Sequence, residues 1–133
     1  MLNAKVTQIS RRYIRVVAAL TACTAGAGLY LLGSQPFAVG FFPPPWDKLA
    51  HLVTFALIGG AIGFASEQRG WRMGLCCTAG ALVLGAMDEA HQAFLPGRQA
   101  SWADLGADLL GGLLGAALLG ARYELARRRT NRR

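Results

Sequence analysis

The chain has 133 residues, of which 53% are hydrophobic and only 16% charged, and its formal net charge is +7. A soluble domain usually carries about 25% charged residues, so this composition excludes an ordinary soluble fold. The apolar residues come in long blocks instead of alternating as they would in half-buried strands.

The first block covers residues 13–33, long enough for a spanning helix, which needs about 20 mainly apolar residues. Lys5, Arg11, Arg12 and Arg15 cluster at its start. The stretch "SRRYIR" (10–15) is similar to a twin-arginine signal, and "LTAC" (20–23) to a lipoprotein box. The apolar run continues past Cys23 to Gly33, however, which favours a retained first helix over a cleaved signal. An uncharged aromatic and proline segment, "PFAVGFFPPPW" (36–46), follows. Its consecutive prolines prevent a regular helix, and its aromatic residues suit a membrane interface.

The second block, 48–65, is entered through Asp47, Lys48 and His51, and carries a helical stripe of His51, Phe55, Gly59 and Gly63. A short turn containing Arg69 leads to the third block, 71–92, which closes on Asp88, Glu89, His91 and Gln92. "LPGRQAS" (95–101) supplies a tight turn at Pro96-Gly97. The fourth block, 102–121, opens on Ser101 and Asp104, whose spacing suits a helix N-cap. Ser101, Asp104, Asp108, Gly111 and Gly115 fall on one face of it. Arg127, Arg128, Arg129, Arg132 and Arg133 follow. The fold class expected is therefore all-α, a single membrane domain forming a four-helix transmembrane bundle. Gly59, Gly63, Gly111 and Gly115 would be the points where helix backbones approach each other.

The basic residues lie at the two ends and around the 66–71 turn, whereas the 34–46 loop before Asp47 has no charge. The positive-inside rule places both termini in the cytoplasm. The basic tails read as membrane-surface anchors, and no aromatic or motif context accompanies them, so no nucleic-acid partner is expected. Cys23, Cys76 and Cys77 lack zinc-site spacing and read as small packing residues.

On this topology Asp47–His51, Asp88–Gln92 and Ser101–Asp108 meet at the membrane face away from the cytoplasm. Ionisable side chains in a membrane segment are costly and mark function by default. Five carboxylates (Asp47, Asp88, Glu89, Asp104, Asp108) face two nearby cations, Lys48 and Arg98. Some carboxylates must be protonated, solvated, or paired with a cation absent from the sequence. Helix capping accounts for Ser101 and part of Asp104, but not for Asp88, His91 or Asp108. Arg98 is expected to approach Asp104, with Asp88 or Glu89 nearby.

The order Asp47-Lys48-x-x-His51, then Asp88-Glu89-x-x-Gln92-x-Phe94-x-Pro96-x-Arg98-x-x-Ser101-x-x-Asp104, and finally Gly111, resembles the VanZ-like family of small bacterial membrane proteins. The family takes its name from an accessory protein of glycopeptide resistance. Asp108 departs from the pattern, standing where the family usually has Asn, and His91 lies outside it. The resemblance implies a multi-pass protein of the bacterial inner membrane, with an outward-facing polar site and a link to glycopeptide tolerance. It brings no settled reaction with it.

His51, Asp88, Glu89 and Asp104 are the candidate catalytic residues. Asp47, Lys48, Gln92, Arg98, Ser101 and Asp108 are the candidate ligand contacts. Three readings fit them. The site could bind or process the headgroup of an amphiphile, a membrane lipid or lipid-linked cell-wall precursor, with Arg98 and Lys48 holding an anionic group. It could be a metal-dependent membrane hydrolase, with a divalent ion among Asp88, Glu89, His51, His91 and Asp108. It could instead serve a non-catalytic interaction protein or an ion-coupled carrier.

Overall fold

The computed structural model of the chain describes residues 2–132, with side chains from Gln8 onward; Met1, Arg133 and the Lys5 side chain lie outside the described residues. Four helices follow one another: α1 (Leu2–Gly33), α2 (Trp46–Ala65), α3 (Gly70–Gln92) and α4 (Trp102–Thr130). There is no strand among the described residues. Each helix contains an apolar stretch long enough to cross a membrane. α1 begins well before the expected block, and α4 runs on through Arg127–Arg129. With 29 residues, α4 measures about 43 Å at 1.5 Å per residue, against about 30 Å of hydrocarbon. Its arginine end therefore extends past an apolar slab that holds the rest.

The α2–α4 seam is the most extensive helix contact, and α3 packs against both of these helices. Glycine makes this possible. A Cβ at Gly111 would sit 2.6 Å from the Leu52 carbonyl oxygen and 2.9 Å from the Ala56 nitrogen, and a Cβ at Gly59 would sit 2.8 Å from the Cys77 carbonyl oxygen. The expected glycine contacts are present, because lipid offers no hydrophobic drive between helices and close backbone approach must replace it. Phe55, Ile58 and Ala81 fill the space between the seams. Cys77 is fully buried beside Met73 and Leu119, whereas Cys23 is exposed on α1 and does not pack as expected.

α1 lies against α2 and touches α3 more lightly. Ala22 is its one buried residue among those described. The start of α1, the α2–α3 turn and the end of α4 share one end of the bundle. Arg15 pairs with Glu67, the Arg69 guanidinium lies 3.8 Å from the Tyr123 ring centre, and Arg122 faces Phe64. The 34–45 segment and the 93–101 turn lie at the opposite end, and Arg98 joins them by donating to the Ala38 carbonyl at 3.0 Å.

Candidate functional site

At this second end, polar side chains from three helices converge. Asp88, Glu89, Gln92, Asp104 and Asp108 are all buried, and Asp108 is 0% exposed. Asp108 lies six residues into α4 from Trp102, about 9 Å along the axis, too deep for a capping role. It is admitted by Gly85 on α3, where any Cβ would overlap the Asp108 carboxylate. Its partner is His51 from α2, whose Nδ1 lies 2.8 Å from Asp108 Oδ1. The α2–α4 glycine seam begins immediately deeper, at Gly111, and this close approach brings the two side chains within hydrogen-bond reach.

Glu89 faces α4. Its Oε2 accepts the Ser101 N–H at 2.5 Å, tying the end of α3 to the start of α4. Ser101 caps α4 as expected, its Oγ accepting the Asp104 N–H at 3.2 Å. Asp88 instead accepts a hydrogen bond from Gln92 Nε2 at 2.8 Å, one turn on. Lys48 lies 2.5 Å from Asp47 and 2.9 Å from Asp104, bridging the starts of α2 and α4.

Two sequence expectations change here. Arg98 forms no ion pair among the described residues, and the cation beside Asp104 is Lys48. The 93–101 turn, with Gly97 at φ 76°, carries Arg98 back towards Ala38, and its Nε is buried without a partner. His91 leaves the cluster and stacks on Tyr30 of α1, with ring centres 3.7 Å apart. α3 has neighbours on several sides, so its two polar faces find different partners.

A cavity of about 680 Å³ opens beside the cluster. Asp47, His51, Asp88, Gln92, Arg98 and Asp104 form its polar side. Leu29 and Leu32 of α1, with Phe37, Phe41 and Phe42 of the connecting segment, form an apolar wall. Lys48, Glu89, Ser101 and Asp108 are not on that wall. Of these, Glu89 and Asp108 stand close to His51, with one donor atom of each residue within 4.8 Å of the others. The contribution of α1 and the aromatic segment was not legible as a site, because an apolar side chain facing a cavity has the same composition as one facing lipid.

The fold and the site together define a multi-pass membrane protein with a buried polar cluster at one end of a glycine-packed helix bundle. The chain belongs to the VanZ/LLP1 family, whose family model matches residues 5–123. No curated protein and no solved structure matches it.

Proposed function

We propose that the protein binds, and in doing so presents or processes, an amphiphile with an anionic headgroup in the cavity at the polar end of the bundle. One observation carries this reading: a single cavity has a polar floor and an apolar wall, and the arginine lining it is not neutralised by any carboxylate among the described residues. A guanidinium held by one backbone carbonyl keeps donors free for a phosphate or carboxylate, which it can grip in bidentate fashion. Leu29, Leu32 and the phenylalanines offer a surface for the acyl or prenyl chain. His51, with Asp108 behind it, is the cavity's candidate acid or base, and Asp88 and Asp104 line the same floor.

On this reading the protein sits in a bacterial inner membrane with both termini cytoplasmic. The arginine-rich end supports that orientation through the positive-inside rule, and the cavity would then meet the outer leaflet. Membrane lipids and lipid-linked cell-wall precursors are the ligand class, and membership of the VanZ/LLP1 family connects such a role to glycopeptide tolerance.

The test is mass spectrometry of amphiphiles retained by the full chain in mild detergent. Gly28 of α1 also lines the cavity, and a Cβ there meets nothing within 4 Å. Gly28→Phe should fill the cavity without disturbing the bundle, and Arg98→Ala should remove the headgroup contact. Both should lower retention by at least about tenfold, the effect of losing one contact worth about 1.4 kcal/mol. Retention at the wild-type level in both variants would refute the reading.

A further inference from the structure

We infer that His51, Glu89 and Asp108 form a binding site for one divalent cation of the Mn²⁺ or Zn²⁺ type. The site lies behind the cavity at the junction of α2, α3 and α4.

The first ground is charge. Lys48 is committed to Asp47 and Asp104, and Arg98 is turned to the Ala38 carbonyl. Among the described residues, that leaves Asp88, Glu89 and Asp108 buried with the His51 imidazole as their one basic neighbour. Buried carboxylates in an apolar surround must lose their charge or acquire a counter-ion. A divalent cation matches the uncompensated pair Glu89 and Asp108.

The second ground is unspent bonding capacity. Glu89 is 6% exposed and uses Oε2 on the Ser101 N–H, while Oε1 has no partner. Asp108 is 0% exposed and uses Oδ1 on His51, while Oδ2 has none. Buried polar atoms are nearly always paired, so an unpartnered oxygen on each of two carboxylates that stand close to one imidazole points to an absent partner that accepts electron pairs. Capping leaves Glu89 Oε1 unexplained, and Asp108 Oδ2, which lies against Gly85 of α3, gains no hydrogen-bond donor there.

The third ground is spacing. The three donor atoms lie within 4.8 Å of one another. Two ligands each about 2.1 Å from one ion can stand no more than about 4.2 Å apart. In a tetrahedral set they stand about 3.4 Å apart, so the group must draw in by up to about 1.4 Å, within reach of the three-torsion Glu89 side chain. One imidazole with two carboxylates favours a borderline ion such as Mn²⁺ or Zn²⁺ over thiophilic metals. No cysteine belongs to this group.

The experiment uses the full chain in mild detergent, stripped of metal and lipid, with MnCl₂ or ZnCl₂ as the only additive. Because no amphiphile is present, its outcome is separate from that of the cavity reading. The wild type should bind one ion per chain, and bound Mn²⁺ should show ¹⁴N coupling from His51 by pulsed electron paramagnetic resonance. Glu89→Gln and Asp108→Asn should each weaken binding by about 100-fold or more, since losing even an outer-shell partner costs 10–100-fold. Glu124→Gln, at the arginine-rich end of α4, should leave affinity unchanged. If a site variant does not fold, the wild-type spectrum still decides. A wild type that binds no ion, bound Mn²⁺ without nitrogen coupling, or wild-type affinity in both site variants would each overturn the inference.

Discussion

Replacing Gly111 with alanine tests the packing that creates the site. The added Cβ would lie 2.6 Å from the Leu52 carbonyl oxygen, 2.9 Å from the Ala56 nitrogen and 3.0 Å from the Phe55 Cβ. Favourable contact begins at about 3.5 Å, so α2 and α4 must part by roughly 0.5–1 Å at this point. Overpacking costs about 1–3 kcal/mol. The closest two atoms belong to the backbone, which no rotamer change can relieve, so the upper half of that range applies. Alanine recovers about 1 kcal/mol of helix propensity, leaving a net loss of about 1–2 kcal/mol. Gly106, in the same helix, is the control, because a Cβ there meets nothing within 4 Å. Gly106→Ala should stabilise by up to about 1 kcal/mol. Reversible unfolding of the full chain in mixed micelles, followed by helical circular dichroism, measures both. If Gly111→Ala is as stable as the wild type, or both variants shift in the same direction, close backbone approach does not hold α2 to α4.

Two further outcomes follow from the same geometry. Cysteine-accessibility labelling in intact cells should modify a cysteine placed at Ala38 or Gln99, both near the polar end, but not one at Gln68 in the turn beside Glu67; labelling at Gln68 alone would invert the proposed orientation. Glu89→Gln keeps an acceptor for the Ser101 N–H, and Arg98→Lys loses the planar fork while keeping the charge, so both should leave membrane abundance near wild type while abolishing an envelope phenotype such as glycopeptide tolerance; loss of phenotype only through loss of protein would mark a structural network.

The helices were legible because lipid imposes a single requirement, a long apolar run, that local composition meets or fails. The seams were legible for a related reason, since Gly111 and Gly115, which meet α2, and Gly59 and Gly63, which pack closest on α3, repeat at helical spacing and small residues are what such seams need. The polar residues could be gathered at one end by counting helix crossings. Their pairing could not. Arg98 and Lys48 differ little as cations near Asp104, and the choice between them depends on a turn that directs Arg98 to Ala38, 60 residues earlier in the chain. His91 shares a helix face with Asp88 by spacing, yet it meets Tyr30 because α1 happens to lie on that side. Asp108 was conspicuous as the departure from the family pattern, but its pairing with His51 depends on how closely α2 approaches α4.

The cavity is built from two unlike halves. Its polar half stands on α2, α3 and α4, whose backbones meet through glycine immediately below the cluster. Moving His51 relative to Asp108 there means separating close-packed helices. Its apolar half comes from α1 and the 34–45 segment, where large side chains such as Leu31, Leu32, Phe37 and Phe41 are exposed. Low packing density is the physical basis of local opening, so exchange of an amphiphile between cavity and bilayer should proceed by displacement on the α1 side. A tail held by nonspecific apolar contact tolerates such movement and variation in chain length. A headgroup met by fixed donors and acceptors does not, and an amide or hydroxyl out of place leaves buried partners unpaired at about 1–3 kcal/mol each. If the proposed amphiphile reading holds, selectivity should therefore lie in the headgroup, and the chain region should discriminate weakly.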